Sequence, residues 1–299
     1  MKTKKLIIFF PSIERGGVEK NFFYISNFLT NYFKNINLIT ASNVNKISKK
    51  IKVKKPKIIS SNIKNRKFKY FLCLLILLNQ IMKNKNIVVF AFQANLYASL
   101  LCKIFNVKII IRSNSSPTGW SKNFIKKKIF KLLFSLPDKI IVNSLEFKKE
   151  MKYNFNVNAK CIYNPLDKSK VLKLAKNKFK FRFFDNRSYL RIISIGRLVD
   201  QKNHILLLRA FKKIKNLCKC KLLIIGNGIK LKTYRNYIND NNLDKIVKII
   251  PFQKNPIKFL KRSDLFILSS KYEGLPNVLL ESVALKIPII SSNCKSGPT

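Results

Sequence analysis

Two adjoining stretches decide the fold: Asp264-Leu265-Phe266-Ile267-Leu268-Ser269 and Lys271-Tyr272-Glu273-Gly274-Leu275-Pro276-Asn277-Val278-Leu279-Leu280-Glu281. The first is an apolar run that predicts a buried strand, and residues 277–285 have the amphipathic spacing of a helix. Pro276 suits the first turn of that helix, because its missing N–H would have no partner there. Glu273 and Gly274 therefore lie in a strand-to-helix loop, and Glu281 lies on the first turns of the helix.

This loop has the chemistry of a ligand site. Open α/β sheets bind ligands in the loops at the carboxyl ends of their strands. The N-terminus of a helix favours an anion there, and the carboxylates of Glu273 and Glu281 can accept hydrogen bonds from hydroxyls. The combination predicts a ligand that carries both phosphate and sugar.

Composition bounds the class of protein. With 299 residues, the chain can bury a sizeable core in one or two domains. Its 61 Lys and Arg against 13 Asp and Glu give a net charge of +48, which indicates an anionic partner: nucleic acid, a membrane surface or a phosphorylated substrate. Lys, Asn and Ile are abundant throughout, so compositional drift is a second explanation, and the sequence leaves both open.

The spacing of the cysteines and the presence of a single histidine argue against a zinc site and against a disulfide-stabilised fold. None of the six cysteines forms a C-x-x-C pair, which fits a reduced cytosolic protein. His204 has no second histidine near it, and we expect it to be structural. The most apolar run, residues 70–82, is too short to span a bilayer. We expect no signal peptide, because Glu14 and Arg15 follow the first apolar run and no small-residue cleavage site is present. These observations favour a cytoplasmic location.

Strand–helix alternation occupies both ends of the chain. Residues 1–167 open with a strand, a Gly-Gly loop and a helix, and contain a short predicted strand at residues 57–60 within a lysine-rich stretch. Residues 168–190 are polar, aromatic and unpatterned, and we interpret them as a connector. The alternation restarts over residues 191–299. The pattern predicts two doubly wound, Rossmann-like α/β domains that face a cleft.

The second half carries two further motifs. Gly196-Arg197-Leu198-Val199-Asp200-Gln201-Lys202-Asn203 lies between a strand and a helix, where Arg197 and Lys202 can aim cations at a phosphate. In so basic a chain such residues are usually solvated, but this loop belongs at the same sheet edge as Glu273. Gly226 and Gly228 follow another strand and could let a nucleotide approach the backbone, although the third glycine of the dinucleotide fingerprint is missing.

Together these motifs resemble a known family. The stretch from Glu273 to Glu281 resembles the E-x7-E motif of retaining glycosyltransferases with the GT-B fold, family four. Residues 196–203 resemble the G-R-L-x-x-Q-K-N/G loop of that family, Gly226-x-Gly228 its G-x-G turn, and Gly16-Gly17 its first glycine loop. The resemblance implies a transferase that moves a hexose or N-acetylhexosamine, with retention, from a nucleotide-diphosphate donor to a lipid-linked or surface-polysaccharide acceptor.

The resemblance also implies roles for single residues. Arg197 and Lys202 would hold the diphosphate and stabilise its charge as it leaves, Glu273 would contact the donor sugar near the reacting centre, and Glu281 would bind the ribose hydroxyls. The remaining donor-binding positions are Gly274 and Leu275, through backbone N–H groups, with Gly196, Gly226, Gly16, Gly17 and Asn114. We expect no metal and no other cofactor, because Arg197 and Lys202 can stabilise the leaving group.

The sequence departs from the family pattern in three places. Many members carry a histidine where this chain has Arg112-Ser113-Asn114, and Lys286 stands where a glycine is common. The chain stops at Gly297-Pro298-Thr299, where a GT-B enzyme normally continues, so we expect the second domain to be incomplete at its C-terminus.

Three other functions remain open at this stage. A truncated homologue could bind sugar nucleotide without turnover. A basic nucleic-acid-binding protein would fit the charge, but the chain lacks a helix-turn-helix signal, an RNP-type aromatic motif and zinc spacing, so we expect no specific nucleic acid. A nicotinamide-dependent oxidoreductase is disfavoured, because G-x-G-x-x-G does not follow the first strand.

A basic amphipathic helix predicts a membrane contact. Residues 121–136 combine a lysine-rich face with an apolar face, the composition of helices that dock on anionic lipid headgroups. An ordinary surface helix is the alternative. We expect a peripheral location on the inner face of the cytoplasmic membrane, where a polyprenyl-linked acceptor would be found.

Overall fold

The computed structural model describes residues 5–13, 16–44, 47–56, 65–114, 124–177 and 179–294. The chain divides into two compact units, Met1–Pro165 and Leu166–Thr299. Each unit has its own parallel sheet and its own hydrophobic core. The predicted pair of Rossmann-like α/β domains is confirmed.

The described residues of the first unit form seven strands and five helices. The strands are β1 (Lys5–Phe9), β2 (Ile36–Ile39), β3 (Ile51–Lys54), β4 (Ile87–Ala91), β5 (Lys108–Arg112), β6 (Lys139–Val142) and β7 (Lys160–Cys161). The helices are α1 (Gly17–Leu29), α2 (Arg66–Lys83), α3 (Asn95–Ile104), α4 (Phe124–Phe134) and α5 (Leu145–Phe155).

The first sheet is a doubly wound sheet with two buried faces. Its order is β3-β2-β1-β4-β5-β6-β7, and the pairs are parallel. One face packs on α2, α3, α4 and α5, and the other packs on α1. Burial on both faces explains the almost continuous apolar sequence of β1 and β4, which is typical of parallel sheets.

The lysine-rich stretch after β2 forms a strand that the sequence analysis missed. Ile51–Lys54 pairs in parallel with β2 at the sheet edge, whereas the strand predicted at residues 57–60 lies outside the described residues. Only Ile51 and Val53 are apolar in this strand, and lysines alternate with them. An edge strand needs only one apolar face, and its lysines discourage pairing with another chain, so the hydrophobic signal was too weak to find.

The second unit repeats the architecture with five strands and five helices among its described residues. The strands are β8 (Leu190–Ile195), β9 (Cys220–Ile225), β10 (Val247–Ile250), β11 (Leu265–Leu268) and β12 (Ile289–Ser291). The helices are α6 (Lys168–Ala175), α7 (His204–Ile214), α8 (Leu231–Asp240), α9 (Ile257–Lys261) and α10 (Asn277–Ala284). The order β10-β9-β8-β11-β12 reverses direction between β8 and β11.

An ion pair fixes β8 beside β11. Arg191 Nη2 donates to Asp264 Oδ1 at 2.5 Å, and Arg191 Nε donates to Asp264 Oδ2 at 2.9 Å. The Arg191 backbone N–H donates to the same carboxylate at 2.8 Å. These hydrogen bonds lower the pKa of Asp264 below its ordinary value. The bidentate contact aligns the two strands whose carboxyl ends flank the reversal of the sheet.

The prediction that residues 168–190 form an unpatterned connector is wrong. Asp167 caps α6 by accepting a hydrogen bond from the Lys170 N–H at 2.9 Å, and Val171 and Phe184 are buried in the core of the second unit. Arg262 ties the segment to the end of α9, because it donates to the Phe179 carbonyl at 2.9 Å. An eight-residue helix with one buried residue gives little periodicity, so tertiary packing defines it.

The helix predicted at residues 121–136 is described from Phe124 onward, as α4. The apolar run at residues 70–82 lies within the 18-residue helix α2. None of the helices in the described part of the chain has the length and hydropathy needed to cross a bilayer.

Candidate active site

The candidate site lies where the second sheet reverses its winding. The loop after β8 and the loop after β11 are joined at their backbones: the Lys271 N–H donates to the Gln201 carbonyl at 2.9 Å. The Gln201 side chain donates to the Tyr272 carbonyl at 3.0 Å, and the Ser269 hydroxyl donates to the Lys202 carbonyl at 3.0 Å. The structure therefore holds together the two motifs that the sequence separates by about 70 residues, at the position where such sheets bind ligands.

A buried ion pair forms the centre of the site. Lys202 Nζ contacts Glu273 Oε1, and the Ser270 hydroxyl donates to the same oxygen at 2.6 Å. The two charged side chains are 14% and 8% exposed. Charges this well shielded from water interact strongly, so the pair fixes the position of the Lys202 ammonium. Sequence reasoning predicted both residues, but it missed their direct contact.

Local backbone geometry brings Lys202 to this position. A short 3-10 turn, Asp200–Lys202, precedes Asn203, which has φ 50° and ψ 38°. Asparagine tolerates this left-handed conformation better than most residues. The turn lets α7 start at His204 while the Lys202 side chain points toward the loop after β11.

Arg197 lies in the same loop and is exposed. Its Nη2 donates to the Gln201 Oε1 at 3.3 Å, a weak contact that an anion can compete with. Gln201 therefore touches both Arg197 and the loop after β11. No role for Gln201 was predicted from the sequence, although its position one residue before Lys202 was an available signal.

Gly226 and Gly228 are explained by backbone packing. A Cβ on Gly226 would lie 1.8 Å from the Gly196 carbonyl oxygen, and one on Gly228 would lie 2.2 Å from the Leu198 carbonyl oxygen. Only glycine allows the loop after β9 to approach the loop after β8 so closely. The glycines thus shape the Arg197 loop, while a direct contact of Gly226 with a nucleotide stays a prediction. Gly196 itself packs against the Lys202 side chain.

The remaining predicted residues of this unit lie on the strand-to-helix segment. Glu273 and Glu281 are each 6% exposed, Gly274 is buried and Leu275 is half-buried. Pro276 immediately precedes α10 with an extended backbone, φ −69° and ψ 126°. The helix starts at Asn277 as predicted, with Pro276 just before its first turn and not within it. Both carboxylates are shielded from water, which strengthens hydrogen bonds to them.

This part of the chain matches a known family. Residues 175–299 match the family described as Glycosyl transferases group 1. They cover the Arg197 loop, the Gly226 turn and the segment from Glu273 to Glu281. Residues 175–299 belong to the group 1 glycosyl transferases. Since the match begins at the last residue of α6, it includes the second part of the segment interpreted from sequence as a connector.

Relatives extend the likeness into the first unit. An uncharacterized glycosyltransferase of Methanocaldococcus jannaschii is 35% identical over 213 residues, which are 67% of this chain and 52% of the relative. The Campylobacter jejuni N-acetylgalactosamine-N,N'-diacetylbacillosaminyl-diphospho-undecaprenol 4-alpha-N-acetylgalactosaminyltransferase is 30% identical over 217 residues, which are 67% of this chain and 56% of the relative. The chain spans about half the length of the curated relatives it matches.

A solved structure shows the fold. Anabaena HepE in complex with UDP-glucose has a TM-score of 0.74 at 14% identity, over 97% of this chain and 81% of that one. The fold of this chain is therefore the GT-B fold of two parallel-sheet Rossmann-like domains, as predicted.

The other predicted donor-binding positions lie in the first unit. Gly16 precedes α1 with an extended backbone, Gly17 is the first residue of that helix, and Asn114 follows β5. The Asn114 Oδ1 is buried and has no hydrogen-bond partner among the described residues. These positions follow the carboxyl ends of β1 and β5 in the first sheet, and their contact with a donor stays a prediction.

Sequence reasoning gave no role to Arg112, which is the largest fully buried side chain among the described residues. Its Nη2 donates to the Ile162 carbonyl and to Asn164 Oδ1, both at 3.0 Å. Burial lowers its pKa to about 10. Arg112 therefore ties the end of β5 to the last residues of the first unit. An arginine that directly follows three isoleucines was the available signal.

His204 is structural, as expected. It is 1% exposed, and its ring packs edge-on against Tyr234 at a centroid distance of 6.0 Å. Burial, followed by the nearby Lys202 charge, lowers its pKa to about 4. The imidazole is consequently neutral at physiological pH. Within the described residues, no three His, Cys, Asp or Glu side chains come together as a metal-binding group.

Proposed function

We propose that this chain is a retaining glycosyltransferase that moves a hexose or N-acetylhexosamine from a nucleotide diphosphate to a lipid-linked or surface-polysaccharide acceptor. One observation carries the proposal: two cations, Arg197 and Lys202, and two buried carboxylates, Glu273 and Glu281, belong to two joined loops and the following helix at one sheet edge. Cations suit a diphosphate, and carboxylates suit the hydroxyls of ribose and sugar.

Transfer requires the diphosphate to leave the anomeric carbon with the bonding electron pair. In the proposed mechanism, Arg197 and Lys202 stabilise the negative charge that develops on the leaving oxygen. The acceptor hydroxyl oxygen bonds to the anomeric carbon on the same face, and its proton passes to the departing diphosphate. Glu273 contacts the sugar and Glu281 the ribose hydroxyls, while Gly274 and Leu275 supply backbone N–H donors.

Lys202 has two tasks in this scheme. Its ammonium contacts Glu273, and with donor bound it also faces the diphosphate. An ammonium has three donors, so it can retain Glu273 while it binds a phosphate oxygen. We propose that these side chains supply the charge stabilisation without a metal, and Asn114, Gly16, Gly17, Gly196 and Gly226 complete the donor-binding set.

The substrate classes are supported by relatives. The Campylobacter jejuni relative is named for a diphospho-undecaprenol acceptor, and Anabaena HepE was solved with UDP-glucose. By analogy, we propose a UDP-sugar donor and a polyprenyl-linked acceptor for this chain. Such an acceptor is held in a membrane, so we propose a peripheral location on the cytoplasmic face.

Donor binding tests the site directly. We expect UDP to raise the melting temperature of the second unit, because a ligand that binds only the folded state stabilises it. Arg197→Ala should weaken UDP binding at least tenfold, since a charge-assisted contact to phosphate is lost. Glu281→Gln should weaken binding by a similar factor. Isothermal titration calorimetry measures both effects.

Arg209→Ala is the matched control, because Arg209 is an exposed arginine on α7 of the same unit. It should bind UDP as the unmodified chain does. Unchanged UDP affinity in both site variants would contradict the site assignment. Incubation with UDP-sugar and a polyprenyl-diphosphate sugar, followed by proton NMR of the new anomeric centre, then tests transfer and retention.

A further inference from the structure

Three neighbouring helices of the first unit expose an unusual number of large apolar side chains. Helices α2, α3 and α4 pack on the same face of the first sheet: each contributes buried residues, such as Leu77, Cys102 and Phe134, to one core cluster. Their opposite sides bear the residues that are exposed. These are Phe68, Phe71, Leu75 and Met82 on α2, Tyr97, Leu100 and Ile104 on α3, and Ile125, Ile129 and Leu132 on α4. We call these ten residues the apolar face.

The residues of the apolar face form stripes. At about 100° per residue, the exposed members of each helix fall within an arc of about 60°. The buried members of the same helix lie on the other side, toward the sheet. Since the three helices pack side by side on one sheet face, their stripes point away from that sheet in the same direction. Ile104 and Leu132 are each 67% exposed and Met82 is 64% exposed.

The other described helices expose at most two large apolar side chains each, and α5, which exposes Leu145 and Tyr153, also carries Glu146 and Glu150. Helix α7 of the second unit has a similar length to α4, yet it exposes only one large apolar side chain, Leu206. Single exposed apolar residues are normal on protein surfaces, but a contiguous set marks an interaction site.

The charge of α2, α3 and α4 indicates the partner. Helices α2, α3 and α4 contain no Asp or Glu. They contain nine basic residues, Arg66, Lys67, Lys69, Lys83, Lys103, Lys126, Lys127, Lys128 and Lys131, of which seven are exposed and two half-buried. Helices that lie in a membrane interface combine apolar side chains with Lys and Arg, which bind anionic headgroups.

We propose that the apolar face docks on an anionic lipid bilayer. Its apolar side chains would enter the boundary between headgroups and acyl chains, and the surrounding lysines would bind lipid phosphates. The surface is wider than the single helix that the sequence indicated, because α2 and α3 contribute seven of the ten residues. The purpose of this surface, which is access to a lipid-linked acceptor, rests on the proposed function. The evidence for the surface is the exposure and charge of α2, α3 and α4, which are independent of the donor site.

Vesicle co-sedimentation of the full chain tests the proposal. We expect binding to vesicles of phosphatidylcholine with about one third phosphatidylglycerol, weak binding to pure phosphatidylcholine, and loss of binding as salt screens the charges. Ile129→Ser with Leu132→Ser should weaken partitioning about tenfold or more. Lys126→Gln with Lys131→Gln should weaken it by a similar factor.

Matched controls lie on the second unit. Leu217→Ser with Ile229→Ser removes two side chains that are 80% and 84% exposed, and Lys212→Gln with Lys213→Gln removes two exposed lysines of α7. Both controls should bind vesicles normally. Equal vesicle binding by the face variants and their controls would overturn the proposal, as would equal binding to neutral vesicles. A third result would also overturn it. This is light scattering in which the unmodified chain is a dimer, the Ile129→Ser, Leu132→Ser variant is a monomer, and vesicle binding is the same for both.

The UDP-induced melting shift is measured on the same samples. The docking surface is supported if the Ile129→Ser, Leu132→Ser variant and the Lys126→Gln, Lys131→Gln variant lose vesicle binding while UDP still raises their melting temperature. If the unmodified chain binds vesicles but its melting temperature does not rise with UDP, the proposed function is contradicted and the docking surface is still supported.

Discussion

At the scale of single residues, buried charge organises the candidate site. Lys202 and Glu273 are both shielded from water and are held by loops from different strands. Such a pair adds little net stability, because desolvation of both charges offsets their attraction, but the loss of one partner leaves the other charge buried and unpaired. The pair therefore specifies how the two loops meet.

A double-mutant cycle tests this coupling. We expect Glu273→Gln and Lys202→Met each to lower the free energy of unfolding of the second unit by about 3 kcal/mol, because one buried charge remains. The double variant should lose clearly less than the sum of the two, since neither charge remains. Calorimetry of the second unit measures the three values. Additive losses would show that the two side chains do not stabilise each other.

His204 makes the second unit sensitive to acid. Its pKa is about 4 in the folded chain, below the ordinary value of 6.5. As the pH falls below 6.5, the unfolded chain takes up a proton that the folded chain does not, so the free energy of unfolding decreases until about pH 4. The shift corresponds to a loss on the order of 3 kcal/mol.

Thermal unfolding between pH 7 and pH 4.5 measures this effect. The His204→Gln variant keeps a polar side chain of similar length but has no group that titrates in this range. Its melting temperature should fall less on acidification than that of the unmodified chain, because other groups titrate equally in both. Parallel pH profiles for the two chains would rule out His204 as the source.

At the scale of elements, a strained residue follows the C-terminal cap of α10. Lys286 has φ 57°, and the hydrogen bonds from Lys286 N to the Val283 carbonyl and from Ile287 N to the Ser282 carbonyl, both 3.0 Å, close the helix. This left-handed position usually carries glycine. Of the six described non-glycine residues with positive φ, four are Asn, and only Ala94 and Lys286 are not.

Substitution of this residue should stabilise the protein. We expect Lys286→Gly to raise the free energy of unfolding of the second unit by about 1 kcal/mol, because glycine removes the clash of Cβ in the left-handed conformation. Lys286→Ala is the control: it removes the charge and keeps Cβ, so stability should not rise. A similar gain in both variants would assign the effect to charge.

At the scale of the whole molecule, the chain has two independent cores. The strands of the first unit pack with α1 to α5, and those of the second pack with α6 to α10. Long-range strand pairing stays within each unit. Each sheet with its helices is therefore a candidate for a separate cooperative transition.

Differential scanning calorimetry should resolve two transitions in the full chain. UDP should raise the midpoint of only one of them, because the residues proposed to hold the diphosphate all lie in the second unit. Arg197→Ala should reduce that response at the same UDP concentration, without moving either midpoint in the absence of UDP. A single transition that shifts as a whole on addition of UDP would indicate that the two units unfold together.

The elements that the sequence revealed are the ones with strong local signals. The strand at residues 264–269 and the helix after Pro276 were found, because an apolar run and a proline define them locally. Strand β3 and helix α6 were missed, because each has only one buried residue. The Gln201 contact and the burial of Arg112 were missed as well, since both depend on partners 50 or more residues away.

The sequence by itself determined the alternation of strands and helices, the two-unit α/β class and the residue types at the candidate site, because these follow from periodicity and local motifs. Only the tertiary structure decided that Lys202 contacts Glu273, that Gly226 serves the approach of two loops, and that three helices share one apolar face. The physical reason is that pairing of distant strands sets these contacts: β8 lies beside β11, and α2 to α4 lie on one sheet face, through hydrogen bonds and packing between residues far apart in the chain.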